Sequence, residues 1–497
     1  PSSVLKKWEV GEGYHTSANR SDTRSHKYLF QTILNYNRTF RKHTVGLMAG
    51  YSMESSSGAS SSLSAKQFAD NSLEVFTLND QAITGASATL TTPSRLLSYF
   101  GRFQYEYDNR YLLTASIRRD GSSRFGRENR WGTFPAVSAA YRVSNEKFWP
   151  KDFVMNQLKV RASWGLNGNN SISNGAALGL MESANYSLGS LVNGFAPSSI
   201  DNEKLGWEKT HSWNIGIDLG FFNNRIVLAA DYYDKTTKDL LYKVSVPAIM
   251  GFTKAWGNIG SIGNRGFELE LTTQNLTGKL NWSTSLNVSY NKNEVKSLGE
   301  DNTTVFIGYS DSNTQVFMVG QRPYTFYLAK QAYDDNGKPI EGQYVQPDGS
   351  VSATETKYAT NKSALPESYL GFNTQLSYKN WDFAISGHGA FGNYVYNYIA
   401  ADQYVQSVYS DQGNFSNILS RTKATGFQNQ QLYSDYFLEK GNFFRIDNIS
   451  LGYTFKKLWD QSSSLRLTFG VQNVATFTGY SGIDPEIYSG IDKEIYP

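Results

Sequence analysis

Across residues 280–290 the chain alternates without a break. Leu280, Trp282, Thr284, Leu286, Val288 and Tyr290 take one phase, and Asn281, Ser283, Ser285, Asn287 and Ser289 take the other. A two-residue period sends the two phases to opposite faces of a β-strand, so one face is largely apolar and the other wholly polar. The pattern recurs along the chain, with further strands expected over 225–246 and 381–397. Val45, Leu47, Ala49, Tyr51 and Met53 share a face; Leu97, Tyr99, Phe103, Tyr105 and Tyr107 lie opposite Ser98, Arg102, Gln104 and Glu106; Leu158, Val160, Ala162 and Trp164 lie opposite Lys159, Arg161 and Ser163. The clearest runs hold for 9–13 residues. Strands of soluble sheets are about 5–6 residues long, whereas a tilted strand crossing a bilayer needs about 9–11.

The connections alternate too. Short turns are expected at 40–42, 108–110, 222–225, 276–279, 379–380 and 456–464, and long loops at 54–94, 166–206, 291–369 and 398–442. That parity fits a transmembrane antiparallel β-barrel with short turns at the periplasmic end and long loops outside. The expectation is an all-β fold of roughly fifteen strands. An Arg or Lys on the lipid face at mid-bilayer costs about 2–4 kcal/mol, so Lys159 and Arg161 are expected to face the lumen and Val160 the lipid.

Composition agrees. Aromatic residues make up 14% of the 497, with 33 Tyr and 10 Trp, and the mean hydropathy of −0.46 is far below that of a helical membrane protein. No run of about 18 apolar residues exists, so no membrane-crossing helix is expected. The chain has no cysteine, which excludes disulfides and thiolate metal sites. A net charge of +3 gives no electrostatic footprint for nucleic acid. The five histidines are scattered, and His211 and His388 have no second ligand at metal-binding spacing. Neither a cofactor nor a metal is expected, and no catalytic motif is present.

Residues 111–149 read as a hairpin. Tyr111, Leu113, Ala115 and Ile117 share one face of the outgoing strand, and Val137, Ala139, Tyr141 and Val143 one face of the return. Between them lie the charged residues of 118–130 with Gly121, Gly126 and Gly132. The segment RDGSSRFG, followed by NRWGTFPAVSAAYRVSNEKFW, resembles the barrel hairpin of SusC/RagA-type TonB-dependent outer-membrane transporters. AWGNIGSIGNRGFELELT (255–272) and GNFFRIDNISLGYTF (441–455) carry the same resemblance.

The resemblance implies a 22-stranded barrel with a plugged lumen, of which residues 1–497 supply barrel wall without the N-terminal plug, the first strands and the last strand. It also implies energised import of an oligosaccharide or oligopeptide across a Gram-negative outer membrane. The implied partners are a SusD-like surface lipoprotein and the TonB complex. The family's Asp-rich loop is reduced here to QPDGSVSATE, so no calcium is inferred. A passive or adhesive outer-membrane barrel is the alternative, and a barrel-embedded hydrolase lacks a convincing constellation.

Trp149, Trp282, Trp381 and Trp459 lie beside short turns and are expected in an aromatic girdle. Trp131, Trp207 and Trp256 lie toward the long loops, where an indole could stack on substrate. Arg119, Asp120, Arg124 and Arg130 are read as an ion-pair network that orders the hairpin. Glu268 and Glu270 are read as polar groups of the lumen wall.

Overall fold

The computed structural model describes residues 17–66, 83–150, 152–187, 191–245, 249, 251–252, 254–299, 304–307, 314–405, 420, 422–431, 433–487 and 491–492. Fourteen antiparallel strands form one sheet, and each pairs with its sequence neighbours in the wall. They are β1 (Ser17–Phe40), β2 (His43–Lys66), β3 (Ile83–Tyr107), β4 (Tyr111–Ser122), β5 (Trp131–Arg142), β6 (Met155–Asn169) and β7 (Glu208–Phe221). There follow β8 (Ile226–Lys238), β9 (Ser261–Leu276), β10 (Leu280–Ser297), β11 (Ser368–Tyr378), β12 (Trp381–Phe391), β13 (Phe443–Lys456) and β14 (Ser464–Thr478). The sheet is an open wall whose outer strands, β1 and β14, do not pair with each other.

Three expectations need correction. The serine-rich stretch 54–94 is not all loop: β2 continues to Lys66 and β3 begins at Ile83, with Ser60–Ser62 paired to both neighbouring strands. Ser, Gly and Ala carry no apolar alternation, so the ladders on both sides decide the conformation there. Residues 67–82 lie outside the described residues, as does most of the closing segment 488–497. The strand expected over 225–246 stops at Lys238, and Leu241–Ser245 forms a separate hairpin with Lys254–Asn258. The strand expected over 381–397 ends at Phe391, and Tyr394–Asn397 pairs elsewhere.

The short turns have the geometry their strands require. Asp108 and Asn109 both sit in the left-handed region, with φ of 51° and 53°, as a turn matching the strands' right-handed twist demands. The outward face carries two aromatic bands. Near the turns, Tyr111 stacks on Tyr141 with ring centroids 4.9 Å apart, and Trp381 packs on Tyr453 at 4.7 Å. Toward the loops, Phe30 of β1, Tyr51 of β2 and Tyr99 of β3 follow one another at 6.4 and 5.4 Å, and Trp131 of β5 reaches across β4 to Tyr99 at 6.2 Å. Trp131 and Tyr141 lie ten residues apart on β5, about 33 Å along the strand and about 25 Å in height at a 40° tilt. That is the thickness of the apolar band of an outer-membrane barrel.

The loops fold into two clusters above the wall. One buries Phe125, Phe134, Ile172, Ala176, Ala177, Leu205 and Trp207. The other buries Phe326, Leu328, Tyr396, Ala400, Ala401, Phe427, Phe437 and Leu438. This second cluster shows that the apolar 326–328 stretch of the longest loop does build structure of its own. Gln331 at its centre is 1% exposed; its Nε2 donates to the Ile340 carbonyl (2.7 Å), and its Oε1 accepts from Ser434 Oγ (2.7 Å). Burial pushes the Tyr358 phenol up, and it donates to Asp435 Oδ2 at 2.8 Å.

Candidate functional site

Register places one polar row across the inward face. Arg161 pairs across the ladders with Gly216, Asp231, Glu268, Ser289 and Tyr369 in turn, and the adjacent row runs from Lys159 through Asp218, Ala229, Glu270, Asn287 and Gly371 to His388 and Arg445. Lys159 and Arg161 face inward, opposite the exposed Val160 and Trp164. On β6–β8 the charges are satisfied. Lys159 Nζ donates to Asp218 at 3.1 Å, Arg161 Nε to Asp218 at 3.0 Å, and Arg161 Nη1 and Nη2 to the two oxygens of Asp231 at 2.6 Å each.

A second network closes the far side. His388 Nδ1 lies 2.8 Å from Asp447 and its Nε2 3.2 Å from Glu486, while Arg445 donates to Glu486 (2.7 Å) and Asp484 (2.6 Å). The segment after β14 thus folds back onto the inner face. Sequence spacing hid these partners of His388, which lie 59 and 98 residues away. Among the described residues no group of three or more His, Asp or Glu is arranged to hold a metal ion. Between the two networks Glu268 and Glu270 are exposed on a cavity of about 470 Å³ with Arg161, Asp231, Tyr369 and His388.

The marker hairpin is built by close packing as much as by charge. Asp120 accepts from Arg118 Nε at 2.7 Å, and Arg118 Nη2 donates to Ser98 at 2.8 Å. Arg119 points outward, over the Trp131 ring at 5.4 Å. The indole lies across Gly121, where a Cβ would sit 2.9 Å from the ring. Arg124 reaches out of the hairpin, donating to Asn174 Oδ1 (2.9 Å) and the Asn170 carbonyl (3.1 Å), and Arg130 Nε donates to the Phe125 carbonyl (3.4 Å). The four residues therefore bond to four different places. What ties the hairpin down is Phe125, 1% exposed beside Trp207.

Trp207 is corrected as a stacking platform. It is 6% exposed, packs between Phe125 and Phe134 at 5.1 and 5.2 Å, and donates from Nε1 to the Arg130 carbonyl, so no ligand reaches its face. Trp131 is 45% exposed but on the outward face, within the upper aromatic band. Trp256 is half-buried against the first loop cluster, with Lys243 Nζ over its ring at 5.3 Å. Of the turn-side tryptophans, Trp381 lies in the lower band and Trp459 is 81% exposed on its turn. Trp149 donates to the Met155 carbonyl and Trp282 to Thr374 Oγ1.

A wall with an apolar, aromatic-banded outer face, a charged inner face, short turns at one end and large folded loops at the other is the wall of an outer-membrane β-barrel. Residues 6–474 match the family described as TonB dependent receptor-like, beta-barrel, and the chain belongs to that family. It is 36% identical over 429 residues to the TonB-dependent receptor SusC of Bacteroides thetaiotaomicron, covering 82% of this chain and 43% of that protein. It is 30% identical over 521 residues to the TonB-dependent receptor P39 of Formosa agariphila, covering 92% of this chain and 50% of that one. The solved structure of the RagAB peptide transporter superposes with a TM-score of 0.82 at 25% identity, over 96% of this chain and 55% of that chain. The chain spans about half the length of the curated relatives it matches. These relatives are receptors and transporters rather than enzymes, and their place is the outer membrane.

Proposed function

We propose that this wall belongs to an importer that takes up oligosaccharides or oligopeptides across the outer membrane. In this reading the TonB complex supplies the energy, and a SusD-like surface lipoprotein helps to capture substrate at the folded loops. The observation that carries the reading is the inward polar row. It crosses the strands from β6 to β13 and lines a path that a hydrated, many-hydroxyl or many-amide solute can follow. The likeness to the TonB-dependent receptor SusC supports energised uptake, and the likeness to the RagAB peptide transporter supports the peptide class.

The test is uptake by cells carrying or lacking the gene, using a labelled oligosaccharide and a labelled oligopeptide, with and without a protonophore. Energy-dependent uptake that vanishes on deletion is expected. Uptake that persists unchanged after the protonophore would instead mean a passive barrel. Gentle detergent extraction should bring down a lipoprotein with the barrel.

A further inference from the structure

Where the two loop clusters meet the wall there is a cavity of about 420 Å³. Its wall residues, Glu208, Ile262, Asn264 and Asn293, sit on the inward rows at the loop ends of β7, β9 and β10, so it opens at the outer mouth of the lumen. Its rim is aromatic. Tyr242, from the first cluster's hairpin, meets Phe317 at 6.2 Å, and Phe317 meets Tyr324 edge-on at 5.0 Å. Its floor is aliphatic, from Ile262, Leu298 and Leu365.

The carboxylate and amide oxygens of this cavity's wall residues are committed elsewhere, which leaves it donors rather than acceptors. Both Glu208 oxygens accept hydrogen bonds, from Asn169 Nδ2 and from the Leu241 N–H, at 3.1 Å each. Asn264 Oδ1 accepts from Asn291 Nδ2 at 3.3 Å, and Asn293 Oδ1 from Arg322 Nε at 3.1 Å. The Tyr242 and Tyr324 hydroxyls have no hydrogen-bond partner among the described residues. Burial pushes the Tyr242 phenol up, so it remains a neutral donor near pH 7.

We propose that this cavity is a subsite for one apolar side chain of a bound peptide, with the two phenols donating to backbone carbonyls beside it. A sugar ring presents hydroxyls around its edge, and each one buried without a partner costs about 1–3 kcal/mol. An aliphatic floor with two phenols satisfies few of them. A peptide residue presents an apolar group flanked by carbonyls, and a pocket with an apolar body and a few polar groups selects that shape. The inference rests on the import reading above and narrows it.

The test uses the full-length complex extracted from the outer membrane and alanine tetrapeptides with Phe, Leu or Ser at one position, titrated calorimetrically. Phe and Leu peptides should bind at least tenfold more tightly than the Ser peptide. Tyr324→Ala should shrink that preference to about threefold or less. Tyr242→Phe, which keeps the ring, should weaken all the peptides severalfold while preserving the preference. Equal binding of the three peptides would overturn the subsite and leave the import reading standing. Binding of maltoheptaose with no binding of any peptide would also overturn it, again without harm to import. Failure to bind either class, together with energy-independent uptake, would remove the reading on which it rests.

Discussion

Arg161 of β6 reaches over Gly216 of β7 to bond Asp231 of β8, so an ion pair skips a strand. A Cβ at position 216 would lie 2.6 Å from both the Arg161 Cζ and Asp231 Oδ1. The missing side chain is the passage for the guanidinium. Gly216→Val should therefore separate the pair and strand a carboxylate, costing about 1–3 kcal/mol, between the values for exposed and buried pairs. Valine's better strand propensity offsets part of the loss. Denaturant unfolding in detergent checks this, and adding Asp231→Asn should recover stability. A single variant as stable as the parent would show that the bridge contributes nothing.

The two faces of β5 make opposite demands. Val137, 42% exposed on the outward face, lies midway between Trp131 and Tyr141. Val137→Arg should cost about 2–4 kcal/mol and lower the yield of folded barrel in membranes. Ser138→Arg, one residue on and facing the lumen, should assemble normally. Yields in the reverse order would invert the inside and outside assigned here.

Gly126 holds the marker hairpin to the next loop. Its N–H donates to the Leu205 carbonyl at 3.0 Å, and a Cβ there would fall within 2.0 Å of the Glu203 carbonyl oxygen. Gly126→Ala must push the two loops apart and loosen the burial of Phe125. Limited proteolysis of intact cells should then cut near 124–130 or 202–207 several times faster, with barrel assembly unchanged.

A pH dependence sits at the turn after β5. The Tyr111 hydroxyl (2.7 Å) and Arg110 (2.6 Å) hold the Glu146 carboxyl below its ordinary value of 4.5, against the opposing effect of burial. A carboxylate whose folded value is depressed contributes stability that is present above its unfolded value and lost as pH falls through the folded one. Glu146→Gln should therefore lower the melting temperature at pH 7, and the difference should narrow as the pH falls from the ordinary value of 4.5 through the lowered folded one. A constant gap from pH 7 to pH 3 would rule this out.

Gln331 organises the second loop cluster through the bonds that its amide makes to two chain segments. Gln331→Leu takes away the acceptor of the Ser434 hydroxyl proton and the donor to the Ala332, Ile340 and Gln343 carbonyls, at a cost of about 1–3 kcal/mol. Hydrogen exchange should accelerate over 325–345 and 433–437, while exchange in β4 to β10 stays as it was.

The wall is legible in the sequence and the partnerships across it are not, for one physical reason. Alternation is local, so Val160 out and Arg161 in follow from neighbouring residues alone. Partnership is not local. That Arg161 meets Asp231, or His388 meets Glu486, depends on register between distant strands, and no spacing announces it. Trp207 is buried although it lies near a long loop in the chain, because chain position does not say whether that loop folds over the ring. The cavity of Tyr242, Phe317 and Tyr324 leaves no mark in the sequence, because its residues come from separate loops and share no periodicity. Beyond Met53, where Ser, Gly and Ala take the place of apolar residues, the continuation of β2 to Lys66 is not legible in the sequence.

The seven short connections make the wall seven hairpins laid side by side, each carrying its own register. Doubling the length of a flexible loop between hairpins costs only about 0.6 kcal/mol in closure entropy, and it shifts no residue of the inward rows. Chains built on this plan can exchange or enlarge their outer surfaces over evolutionary time while the lower rim keeps a fixed gauge.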